Sequence, residues 1–95
     1  MENKVEDNQK NEVFKKLREL LAFATGHSVE EIFTTSLLEE DLGINLEEDF
    51  PRLIAVINQS FEIELEIYHV LNELEEAEDS VEQLAKLVEE EVELG

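Results

Sequence analysis

Ninety-five residues with a net charge of -19 at neutral pH make one domain with room for a single modest core. That charge leaves no basic patch for nucleic acid and disfavours an anionic membrane surface; it serves solubility and points to partners with basic surfaces. Cysteine is absent, which excludes disulfides, thiol catalysis and zinc–thiolate sites, and no apolar run approaches the ~20 residues of a membrane span.

Residues 1–10 are polar and mixed in charge and read as a flexible arm. Their opening, Met1-Glu2-Asn3-Lys4-Val5-Glu6-Asp7, lacks the apolar centre of a secretory signal, so a cytoplasmic protein is expected. Asn11 is suited to cap a first helix that runs to about Ala24. Val13, Leu17, Leu20, Leu21 and Ala24 recur there at helical spacing, with Phe14 and Phe23 beside them. Lys15, Lys16 and Arg18 lie off this stripe and form the densest positive cluster of the chain. Gly26 suits a left-handed helix stop, and Ser28-Val29-Glu30-Glu31 reads as a capping box opening one short turn that ends near Phe33. Residues 34–49 show little periodicity and are expected to form a long ordered connection, pinned to the core by Leu37, Leu38, Leu42, Ile44 and Leu46. Within it, Ser36-Leu37-Leu38-Glu39 is either a second capping box or loop.

Asp49-Phe50-Pro51 marks the next helix, because proline fits a first turn whose N–H groups need no partner. It also discourages helical geometry at Phe50. Phe50, Leu53, Ile54, Ile57 and Phe61 then form an apolar stripe. The period-two run Phe61-Glu62-Ile63-Glu64-Leu65-Glu66-Ile67 has no partner strand and is expected to be an extended link that tucks alternate side chains inward. Val70, Leu71 and Leu74 predict a short helix over roughly residues 67–77. Ser80 and Gln83 form a further capping box for a last helix whose apolar face is Val81, Leu84, Ala85, Leu87, Val88 and Val92. Glu89-Glu90-Glu91 near its end opposes the macrodipole and predicts fraying. The fold class is all-α, a small three-to-four-helix bundle with a long first loop.

Asp41-Leu42-Gly43-Ile44-Asn45-Leu46 resembles the Asp-Leu-Gly-x-Asp-Ser-Leu signature of acyl carrier proteins. The other pieces of the resemblance are Leu20-Leu21 before a glycine, Val29-Glu30-Glu31-Ile32, Ile57 through Leu65, and Ser80-Val81-Glu82-Gln83-Leu84. Together they cover roughly residues 11–93 in the family's order. The resemblance implies the family's helical bundle. It also implies a phosphopantetheine arm carried on a serine, but Leu46 occupies that position and Asn45 replaces the preceding aspartate. An alignment shifted by one residue puts Glu47 there, and neither side chain can form the phosphodiester. No cofactor is therefore expected. The stretches around Pro51 and between Phe61 and Ser80 also depart from the family's spacing. Ser28 and Ser80 read as caps, Ser36 precedes the glycine, and Ser60 ends the second helix.

In that family an acidic loop and second helix dock onto basic patches of enzymes. Carried over by position, Asp41, Glu47, Glu48 and Asp49 are the contact charges, and Ile44, Leu46 and Phe50 the apolar anchors. The expected function is a monomeric binding module without an arm, acting on a fatty-acid or polyketide enzyme. The alternatives are an active acyl carrier modified at an atypical residue such as Ser36 or Ser60, and an acidic mimic of nucleic acid. No dedicated calcium loop is found: counted from Asp41, the glycine comes too early and Arg52 falls where a glutamate is required. His27 and His69 stand in no nucleophile motif, so no enzyme is expected.

Overall fold

The computed structural model describes residues 2–94, and the side chains of residues 12–93. Four α-helices follow one another: α1 (Glu2–Thr25), α2 (Phe50–Phe61), α3 (Ile67–Glu76) and α4 (Val81–Leu94), with a single 3-10 turn at Val29–Glu31 between α1 and the long first loop. There is no strand among the described residues; Leu37 and Ser80 form one isolated antiparallel bridge. α1 packs on α2 and α4, and α3 closes the ring by touching both. The fold is a small helical bundle, as the apolar spacing predicts.

α1 starts at Glu2 rather than at Asn11, which lies inside it, so residues 2–10, read from the sequence as an arm, belong to its first turns. No glycine or proline interrupts residues 2–25. The helix stops at Gly26, whose φ of +82° is the left-handed conformation expected of it and whose N–H donates to the Ala22 carbonyl at 2.9 Å. The buried face of α1 is Val13, Leu17, Leu21 and Ala22. Ala24 and Phe23 point to solvent instead.

α2 buries Phe50, Leu53, Ile54 and Ile57, and it includes Phe50 despite the proline that follows. Its end turns at Glu62, a non-glycine residue with φ +56°. The link to α3 is extended and alternates as expected: Leu65 is buried, Ile63 and Ile67 are half-buried, and Glu64 and Glu66 are exposed. Asn58 holds it, its Oδ1 accepting the Leu65 N–H at 2.8 Å and its Nδ2 donating to the Leu65 carbonyl at 3.2 Å. α3 contributes Val70 and Leu74, and α4 contributes Val81, Leu84, Leu87 and Val88. α4 continues through Glu89, Glu90 and Glu91 to Leu94.

The first loop is ordered by α4. Val81 N–H donates to the Ser36 carbonyl at 2.9 Å and Glu82 N–H to the Thr34 carbonyl at 2.9 Å. Gln83 N–H donates to Ser80 Oγ at 3.1 Å, the serine half of the expected capping box. In return Leu38 N–H donates to the Asp79 carbonyl and Glu39 N–H to Asp79 Oδ2. Thus fastened, the loop drops Leu38, Leu42 and Ile44 into the core.

Ile57 is fully buried, so Ile57→Ala should lower unfolding free energy by ~2–5 kcal/mol in a denaturant titration; a change within ~0.5 kcal/mol would place this face outside the core. Glu62→Gly should act in the opposite direction, adding about 1 kcal/mol, because it relieves a left-handed backbone and removes an acid from a helix C-terminus. A lower denaturation midpoint for that variant would refute the strain.

Candidate functional site

The loop around Gly43 is built from short-range capping. Asp41 Oδ2 accepts the Leu37 N–H at 2.7 Å, which closes the turn ahead of the glycine. Gly43 then takes φ +74°, a conformation that strains any side chain, and the reversal sends Ile44 inward with its N–H on the Leu38 carbonyl at 2.9 Å. Asn45 follows as a cap: its Oδ1 accepts the N–H groups of Glu47 at 2.8 Å and Glu48 at 3.0 Å. Asp49 Oδ2 accepts the Asn45 N–H at 3.1 Å, and the Asp49 N–H reaches the Asn45 carbonyl at 2.8 Å. Residues 46–49 are thus one capped turn leading into α2. Pro51 separates the two, since it has no N–H for the Glu47 carbonyl and its ring crowds that oxygen.

The structure divides the residues singled out in the sequence. Asp41, Glu47, Glu48 and Asp49 are all exposed. Leu46 is half-buried against the core. Ile44 and Phe50, expected as apolar anchors for a partner, are instead buried within the protein's own core, Phe50 completely. The reason is the glycine reversal at position 43 and the inward first turn of α2, which consume both side chains in intramolecular packing. Phe50 offers no surface to a partner, and Ile44 offers only an edge facing the cleft beside this loop.

A cleft of about 350 Å³ opens beside this loop, between the end of α1, the Gly43 turn and the first half of α2. Leu42, Ile44 and Leu53 are its buried lining, with Leu20 and Val56 half-buried in its walls. Phe23 also lines it and is 89 % exposed. Asp49 and Arg52 supply charge among the lining residues. Sequence reasoning assigned Phe23 to the flank of the α1 stripe and missed the cleft. Local spacing gave no signal for it, because the rotation of α1 that turns Phe23 outward is set by the helices packed against it.

The histidines and serines singled out in the sequence lie outside the cleft lining. His27 Nδ1 lies 3.5 Å from Glu31 Oε1, and His69 is exposed on α3. The Ser28 backbone N–H donates to Glu31 Oε1 at 3.0 Å and holds that carboxyl below its ordinary range. Ser36 is buried and its Oγ accepts the Phe33 N–H at 2.9 Å; Ser80 is buried at the start of α4. No group of three or more acid or histidine side chains among the described residues is arranged to hold a metal ion. No helix among the described residues is long and apolar enough to cross a membrane. Compared with known proteins, the chain matches no protein family and no curated sequence.

Asn45→Ala removes the acceptor of two N–H groups at the turn. It should cost ~1 kcal/mol of stability and raise amide exchange at Glu47 and Glu48. Unchanged exchange there would show that the side chain does not hold the turn.

Proposed function

We propose that this chain is an acyl-carrier-protein-like binding module that docks basic surfaces of partner enzymes and carries no phosphopantetheine arm. The observation that carries this reading is the side chain at the attachment position: Leu46 packs against the core at the start of a capped turn, where the family places a free hydroxyl. No serine, threonine or tyrosine occurs anywhere in residues 37–59, so a small slip in alignment supplies no substitute. Asn45 caps the turn, as an aspartate there could equally do, which supports an intact scaffold around a lost attachment point.

Two of the four serines support the same reading. A phosphodiester needs a hydroxyl that a transferase can reach, whereas Ser36 and Ser80 are buried and already accept backbone hydrogen bonds. Exposed carboxylates at Asp41, Glu47, Glu48 and Asp49 support the docking half of the proposal. Charges so placed speed encounter with a basic partner and select against an acidic one more than they tighten the final complex. The partner class that fits is an enzyme of fatty-acid or polyketide assembly, met in solution by a monomer.

Co-expression with a broad-specificity phosphopantetheinyl transferase, followed by intact-mass measurement, is the test. The unmodified mass is expected. A gain of one phosphopantetheine would overturn the reading in favour of an active carrier, and Ser60→Ala and Ser28→Ala would then locate the arm.

A further inference from the structure

We infer that the cleft between α1, the Gly43 turn and α2 is the socket for an apolar side chain on a basic amphipathic helix of the partner protein. This rests on the docking function proposed above and adds the place where the partner's apolar face goes. Phe50 is spent on the core and Ile44 shows only an edge at the cleft floor, so an exposed apolar contact must come from elsewhere. Phe23 supplies it. Scattered exposed apolar residues are ordinary on protein surfaces and need no partner. Phe23 differs because it forms one wall of a concavity whose floor is Leu42, Ile44 and Leu53. The volume, about 350 Å³, has room for one or two large side chains.

Charge decides the chemistry of the occupant. Asp49 lines the cleft, and the exposed Glu47 and Glu48 belong to the same capped turn. The chain as a whole carries -19. That field attracts a cationic ligand and repels an anionic one. Arg52 is the one cation in the lining, and it follows three acids within six residues. A small amphiphile with a carboxylate head would need Arg52 to outweigh these acids at close range. A helix with lysines flanking a leucine or phenylalanine needs only the acids and the apolar floor, and this is the helix-in-groove mode of recognition.

The test uses two peptides of equal length and charge, one a leucine–lysine helix with leucines at helical spacing, the other lysine and serine only. Each is titrated into the full chain, with amide shifts and affinity as readouts. The leucine–lysine peptide should bind about tenfold more tightly and shift the amides of Phe23, Gly43 and Val56. Phe23→Ser, a change at an exposed position, should remove most of that advantage, a loss of about tenfold. Arg52→Glu should leave binding intact or speed association. Equal affinity for both peptides, unmoved by Phe23→Ser, would overturn the socket and leave charge-driven docking standing. Failure of both peptides to bind at low salt would remove the docking function as well. Saturable binding of dodecanoate that shifts the cleft amides and is lost in Arg52→Glu would assign the cleft to an anionic amphiphile and overturn the proposal.

Discussion

The N-terminus of α4 is the point on which the first loop depends. A helix start exposes N–H groups with no intrahelical acceptor, and a buried start must find acceptors elsewhere. Here the acceptors are the Ser36 and Thr34 carbonyls and Ser80 Oγ, at 2.9, 2.9 and 3.1 Å. Each such bond contributes on the order of 1 kcal/mol, but leaving the donor unpaired in a buried setting costs ~1–3 kcal/mol. The asymmetry explains why a long segment without helix is nevertheless tightly placed. Once residues 34–39 are fastened to α4, Leu38 and Leu42 have one position in the core, and the Gly43 reversal follows from it.

Scarce positive charge is used inside the molecule. Lys16 Nζ donates to the Ser60 carbonyl at 2.6 Å and lies 4.9 Å from the Phe61 ring centroid. It thereby meets the last turn of α2, where a cation is favoured by the helix dipole. Arg18 Nε donates to the Ile32 carbonyl at 2.8 Å, and its guanidinium stands 5.8 Å from the Phe14 ring centroid. Two of the chain's seven basic residues therefore fasten α1 to the end of α2 and to the residue that follows the 3-10 turn. Both keep their charge and spend hydrogen-bond donors on backbone oxygens. The same economy appears in the acids near Gly43, since Asp41 and Asp49 each give one oxygen to a nearby N–H. The bonds orient these carboxylates and leave their remaining lone pairs facing water.

Under the proposed function, positions 45 and 46 are where a binding scaffold and a modification site separate. Asparagine and aspartate are equivalent as caps because either offers a side-chain oxygen to the next turn. Leu46, one residue later, makes a half-buried apolar contact and offers no oxygen for chemistry. Pro51 then sets α2 one step away from the capped turn. The proposed module accordingly keeps what shape requires and loses what covalent attachment requires.

Local signals were legible without the fold. The stripe of α2, the stop at Gly26, the start at Pro51, the Ser80 cap and the alternation of residues 61–67 each depend on neighbours within a few residues, where spacing and stereochemistry decide. Less was legible of the site. The acids at 41 and 47–49 were visible as exposed charge, whereas Ile44 and Phe50 read both as core residues and as partner anchors, because an apolar side chain looks the same in a sequence whether it fills the core or a partner. Only the tertiary structure decided that Ala22 rather than Ala24 faces inward, since the rotation of α1 is set by the helices against it. Likewise Asn58 bridges to Leu65, and the Thr34 and Ser36 carbonyls meet an α4 that begins at Val81. Such pairings join chain segments that no local pattern connects, so packing had to choose them.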